Sequence, residues 1–152
     1  MTNKQRWGGL YTVALMLLLV AFFVYHQVKN TGFFTPGFGQ PELLALYGPI
    51  AISMLPSILR AIQGRRNPAR PLEATGDLLL AIGSMRLRQV FPFDFTHIAD
   101  PFPASWHFAF AWLTNDVGRF ILLLQIVVGF ISAIAIIATY LSIRRKEMQG
   151  IT

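Results

Sequence analysis

The sequence predicts an all-α integral membrane protein with about four transmembrane helices, and three observations carry that prediction. Residues 120–143 run for 24 positions without a formal charge. A helix of that length covers roughly 36 Å, more than the ~30 Å hydrocarbon core of a bilayer. Hydrophobic residues make up 54% of the chain and charged residues only 13%, against roughly 25% charged in soluble domains, so the apolar excess belongs to spans rather than to a larger core. The basic residues, finally, fall in short clusters beside apolar runs, which is how a bilayer orients a chain. The same distribution argues against nucleic acid as a partner: the net charge of +6 is not gathered on one solvated face. With 152 residues and no cysteine, a single membrane domain over 1–152 is expected, and disulfides, thiolate catalysis and Cys-ligated metals are excluded.

The first span is read at 10–28. Trp7 and Tyr11 at its start, and Tyr25 and His26 at its end, are amphipathic rings at interfacial positions. Lys4 and Arg6 before it imitate a secretory signal. The run is followed by YHQVKN and not by a small-residue cleavage site, so it reads as an uncleaved anchor. The connector NTGFFTPGFGQ is broken by glycine and Pro36, and its Phe33, Phe34 and Phe38 are expected to dip into the lipid interface. Gly37 and Gly39 lack the lysine and the strand context of a phosphate-binding loop and read as a bend.

The second span is read at 41–62. Pro41 suits a first helical turn, and Glu42 suits the positive end of the helix dipole. Pro49 and Pro56, seven residues apart, share a face and predict kinks, with Ser53 placed to take up a freed carbonyl. They read as a packed kink in preference to a hinge or a pathway lining. The segment RAIQGRRNPARP then brings Arg60, Arg65, Arg66 and Arg70. With Lys4, Arg6, Arg144, Arg145 and Lys146 these make nine of the 13 basic residues. All three clusters face one side only if even numbers of crossings separate them, so a further crossing is required between 72 and 116. Setting orientation is the simpler role for these arginines; recruiting anionic headgroups is the alternative.

The only candidate for that crossing is 73–91. Glu73 and Asp77 burden its start, Arg86 and Arg88 its end, and such residues reach the headgroups only by snorkelling. Leu78, Leu79, Leu80, Ile82 and Leu87 surround the helix, which argues for burial among other helices. It is read as a short third span, with a re-entrant or surface-lying helix as the alternative. The loop 92–118 then faces outside, with Asp94, Asp100 and Asp116 and no Lys or Arg. After Pro103 it is expected to form an interfacial aromatic helix presenting Trp106, Phe110 and Leu113. In the final span, 120–143, Gln125, Gly129 and Ala133 recur every four residues and predict a helix-packing face, against this chain or a second copy.

Chemistry is sparse. Asp94, His97, Asp100 and His107 are the nearest to a metal-ligand set, if one helix carried the first three. Pro92 and Pro101 limit that helix, so hydrated side chains, or pairing with Arg86, Arg88 or Arg119, is the preferred reading. His26 with His97 or His107 could hold haem, but haem histidines usually lie inside spans. No cofactor is predicted. No nucleophile motif is present, and no carboxylate falls in the middle of an apolar run, which weighs against proton-coupled transport. The leading expectation is a non-catalytic accessory, packing or oligomer-forming protein of the cell membrane, both termini cytoplasmic, with the lipid bilayer and self-association or other membrane subunits as partners. A small transporter or channel-like protein is the alternative, motivated by Pro49, Pro56, Arg86 and Arg88. A metal- or haem-binding protein or enzyme using the outer loop is the third.

Overall fold

The computed structural model describes residues 3–63 and 70–148. Arg65 and Arg66 of the basic loop lie outside the described residues, and the side chains of Arg60 and Lys146 are likewise not described. Among the described residues the fold is all-helical: α1 (Asn3–Lys29), α2 (Gln40–Gln63), α3 (Arg70–Val90) and α4 (Asn115–Met148). Two short 3-10 helices, Phe95–His97 and Ala104–Phe110, lie between α3 and α4.

Three segments are long and apolar enough to cross a membrane: Trp7–Lys29, Gln40–Leu59 and Asn115–Arg145. α3 is not among them, because Glu73, Asp77, Arg86 and Arg88 interrupt its apolar residues. The helices nevertheless pack in chain order, α1 on α2, α2 on α3 and α3 on α4, so the most polar helix takes an inner position. Its buried residues are small: Ala74, Gly76, Ala81, Gly83 and Ser84, with Leu87 the exception. Small side chains let helix backbones approach. A Cβ on Gly83 would collide with the carbonyl oxygen of Ala45, and would stand 3.2 Å from Cγ of Pro49. Ser53 lies against Gly76 in the same contact. The prolines of α2 thus belong to its packed face: Pro49 meets α3, and Pro56 is fully buried.

The helix ends are set by local bonding. α1 stops at Asn30, whose φ of 48° is the left-handed geometry asparagine tolerates. There Thr31 N–H donates to the His26 carbonyl and Asn30 N–H to that of Gln27, a Schellman ending. α2 begins at Gly39, whose N–H donates to Glu42 Oε2 at 3.0 Å, so the carboxylate three residues in caps the helix start. α3 ends at Phe91, with φ of 43° and its N–H bonded to the Leu87 carbonyl. A phenylalanine there carries a steric cost of roughly 1–2 kcal/mol, and the Arg119 guanidinium lies over its ring, 4.6 Å from the centroid.

The two connectors on this side of the bundle are stapled together. Asp94 N–H donates to the Phe33 carbonyl at 2.7 Å and Thr35 N–H to the Pro92 carbonyl at 3.1 Å. The rings they carry form the core: Phe33, Phe93, Leu87 and Leu122 are buried, with Phe34, Phe38 and Phe95 packed against them. This corrects, for the buried Phe33, the expectation that it dips into the lipid interface with Phe34 and Phe38, which are partly buried against the same core. They were legible as too apolar for a free loop, but their neighbours are the rings of the second connector. The aromatic segment after Pro103 is a 3-10 helix, in which Phe110 stacks on Phe102 at 4.6 Å while Trp106, Phe108 and Trp112 stand exposed.

Candidate functional site

α3 and α4 meet along a seam of polar and small residues. Ser132 Oγ donates to Asp77 Oδ2. Ser84 Oγ donates to Gln125 Oε1 at 2.9 Å. Between these pairs Gly129 faces Asp77 and Ala81; a Cβ there would stand 2.7 Å from the Asp77 carbonyl oxygen. The paired positions step by seven on each helix, 77 to 84 and 132 to 125, which keeps both pairs on one antiparallel stripe. Gln125 and Gly129 are therefore engaged by α3 of the same chain, and Ala133 beside them is buried.

The seam adds a contact that the sequence does not show: Asp77 bonds to Ser132, which sits at the centre of the uncharged run 120–143. In sequence Asp77 stands near the start of a weak span. The stagger of α3 against the longer α4 carries it level with the centre of its neighbour, and no one-dimensional reading contains that offset. The seven-residue spacing of polar positions shared by both helices marks the faces that meet, but not the offset between them.

Two cavities open on this seam. One, of about 240 Å³, lies under the aromatic core and is lined by Phe23, Ile50, Leu80, Leu87, Leu122 and the Ser84–Gln125 pair, among others. It exceeds the ~150 Å³ apolar cavity that admits a benzene-sized guest. The other, also about 240 Å³, lies toward the Arg70 end between Arg70, Glu73, Ser132, Ala135, Ile136 and Thr139. The Nη1 atom of Arg70 is buried without a hydrogen-bond partner. A further polar pair joins α2 to α3: Arg86 Nε donates to Glu42 Oε1 at 2.9 Å. Glu42 is only 3% exposed. Tyr47 Oη donates to Gln27 Oε1 at 2.8 Å, tying α2 to α1.

The loop residues with metal-ligating chemistry are dispersed. Asp94 accepts from the Thr96 hydroxyl at 2.8 Å and the Thr96 N–H at 3.1 Å; these bonds, hydroxyl first, hold its carboxyl below the usual aspartate value. His97 Nδ1 pairs with Asp100 Oδ2 at 3.2 Å. His107 Nε2 bonds the Phe102 carbonyl at 3.1 Å. Among the described residues no three His, Asp or Glu side chains converge on a point where a metal could sit. The reason is local: Asp94 is spent as the cap of its own 3-10 turn, on the Thr96 N–H and hydroxyl. Arg86 is taken by Glu42 and Arg119 by Phe91. His26 is 1% exposed, with Nδ1 2.6 Å from Thr31 Oγ1 and its ring 4.6 Å from those of Phe22 and Phe33.

Comparison of the chain with protein-family models, with curated proteins and with solved structures finds no match in any of the three.

Proposed function

We propose that this chain is a non-catalytic accessory protein of the cell membrane, a single domain crossing the bilayer four times with both termini on the cytoplasmic side. One observation carries the non-catalytic reading. Polar side chains of the helices are spent pairwise across helix contacts: Gln27 with Tyr47, Glu42 with Arg86, Ser84 with Gln125, Asp77 with Ser132. Bonds of this kind hold membrane helices together, and they occupy the groups a catalytic set would need.

The fourth crossing is supported by length and by charge. The 21 residues of α3 cover roughly 31 Å, enough for the hydrocarbon core. Arg70 shares a cavity with Thr139 and another with Tyr140, one turn before Arg144 and Arg145. Two of the basic clusters therefore gather at one end of the bundle, as a common cytoplasmic side requires. Reporter tags near Arg66 and near Asp100 test this: the reading expects opposite compartments, and a shared compartment removes the third crossing. Native mass spectrometry in mild detergent tests the accessory role. A partner protein or a second copy is expected, and a monomer without partners counts against it. Any such partner has to use a face other than Gln125, Gly129 and Ala133, which α3 occupies.

A second reading, a small transporter, is favoured by Asp77 at the level of α4's centre, since ionisable residues among membrane helices commonly mark ion and proton pathways. Pro49 and Arg86, its original motives, are engaged in packing and in the Glu42 pair. Liposome flux unaltered by Asp77→Asn would remove its support.

A further inference from the structure

The apolar cavity draws walls from all four helices: Met16 and Phe23 of α1, Ile50 of α2, Leu80 of α3 and Leu122 of α4. Among the described residues α1 packs against α2 and α4 against α3, with no comparable contact between α1 and α4. The cavity therefore occupies the interval that packing in chain order leaves between the first helix and the last. Phe33, Phe93 and Phe95 line it at the end where the two connectors are stapled together. Rings close that end, so the way in is between α1 and α4, from the surroundings of the bundle.

The lining is chemically one-sided. None of its side chains is ionisable, and those other than Ser53, Ser84 and Gln125 are apolar. Ser84 Oγ donates to Gln125 Oε1, which engages the carbonyl end of the amide. The Gln125 NH2 group carries two donors and has no partner among the described residues. A space of about 240 Å³ without atoms forfeits dispersion contacts along its walls, which a guest restores. A charged guest would lose its hydration with no counter-charge to meet it. A pure hydrocarbon would leave the amide donors unsatisfied. The guest that meets both conditions is uncharged and apolar and carries a hydrogen-bond acceptor, and the rings of Phe23, Phe33, Phe93 and Phe95 suit one that is itself a ring.

We propose that this cavity is a binding site for an uncharged, ring-bearing carbonyl compound dissolved in the membrane. Its carbonyl oxygen accepts from the Gln125 amide, and its ring lies among the phenylalanines; no covalent step is involved. The site depends on the packing of the four helices and not on the number of crossings or on the accessory role, so it stands or falls apart from those readings.

The test uses the full chain in liposomes, irradiated with benzophenone, followed by peptide mass spectrometry. Benzophenone has two rings and one carbonyl, and its excited state inserts into C–H bonds beside it. Labelling of Met16 and Leu87 is expected to saturate as benzophenone in the lipid rises, while the exposed Met85 and Met148 label weakly and in simple proportion. Diphenylmethane, the same two rings without the carbonyl, should compete about two- to tenfold less well at matched concentration in the lipid, the net worth of one hydrogen bond. In Gln125→Met the two compounds should compete equally, because the donor is gone. The proposal is overturned if labelling never saturates, or if Met85 is labelled as heavily as Met16. Diphenylmethane competing as well as benzophenone in the wild-type protein overturns it too. The decisive readouts all come from the wild-type protein, so a variant that fails to fold does not blunt the test.

Discussion

α1 and α3 are opposites. α1 is apolar throughout its candidate span, and only 6% of the residues in that window are buried inside the protein; Leu18, Val28, Trp7 and Tyr11 are largely exposed. α3 carries charges near both ends, fails the composition of a span, and is the helix against which α2 and α4 both pack. In a water-soluble protein burial follows hydrophobicity. Here it follows small size and polarity, the pattern expected of helices surrounded by lipid, which accommodates leucine as well as a protein core does, whereas glycine and serine gain only by touching another helix. The difference teaches that the apolar runs of this chain mark what faces outward, and the interrupted run marks what holds the bundle.

That contrast is broken most severely by adding a methyl group where α3 has none. Gly83→Ala sets a Cβ against the Ala45 backbone and is expected to cost about 1–3 kcal/mol or more, since backbone does not yield as a side chain does. Gly8→Ala in α1, where nothing lies within 4 Å, should be neutral or stabilising by about 0.5–1 kcal/mol. Thermal unfolding in one detergent compares them, and equal effects would end the distinction. Next comes Arg86→Ala, which strips a buried carboxylate of its cation and should lower Tm clearly. Adding Glu42→Gln to it should recover part of the loss, and a simple sum of the two single effects would mean that the pair is not coupled.

Smaller effects sharpen the picture. Ser84→Ala and Gln125→Leu should each cost about 0.5–2 kcal/mol, with a double-mutant cycle returning most of either value as coupling. Outside the helices, Asp94 is held below its ordinary value by Thr96. Its contribution is fully present above the ordinary aspartate value and is lost as pH falls through the lower folded-state value. Thr96→Val should therefore flatten the acid limb of a Tm-against-pH curve; an unchanged limb would dismiss the bond as irrelevant to stability. Least affected should be Leu18→Ala on α1, within about 0.5 kcal/mol of wild type.

How much was legible follows from the same physics. Helices long and apolar enough to cross a membrane read directly at 10–28, 41–62 and 120–143, because an uninterrupted apolar run is itself the signal, and the structure extends each into a longer helix. The Gln125, Gly129 and Ala133 stripe was legible as a packing face, but not its occupant, since small residues attract any close-fitting helix. The loop ligands Asp94, His97, Asp100 and His107 had suggestive spacing. Spacing alone did not reveal that Asp94 would be spent on Thr96 and His107 on the Phe102 carbonyl. The contact of Asp77 with Ser132 was not legible, because it depends on how far α3 is staggered along α4.

By itself the sequence determined that the chain is helical, where its apolar segments lie, and which clusters of charge border them. These are local properties, fixed by the run length of residues that lipid or a helix interior will accept. Only the tertiary structure decided that the least apolar helix would hold an inner place, that two phenylalanine-bearing connectors would close over each other, and that Asp77 would meet Ser132. Each of those outcomes depends on the register between segments distant in sequence. Register is set by backbone approach at Gly83 and Gly129, which no composition or periodicity encodes.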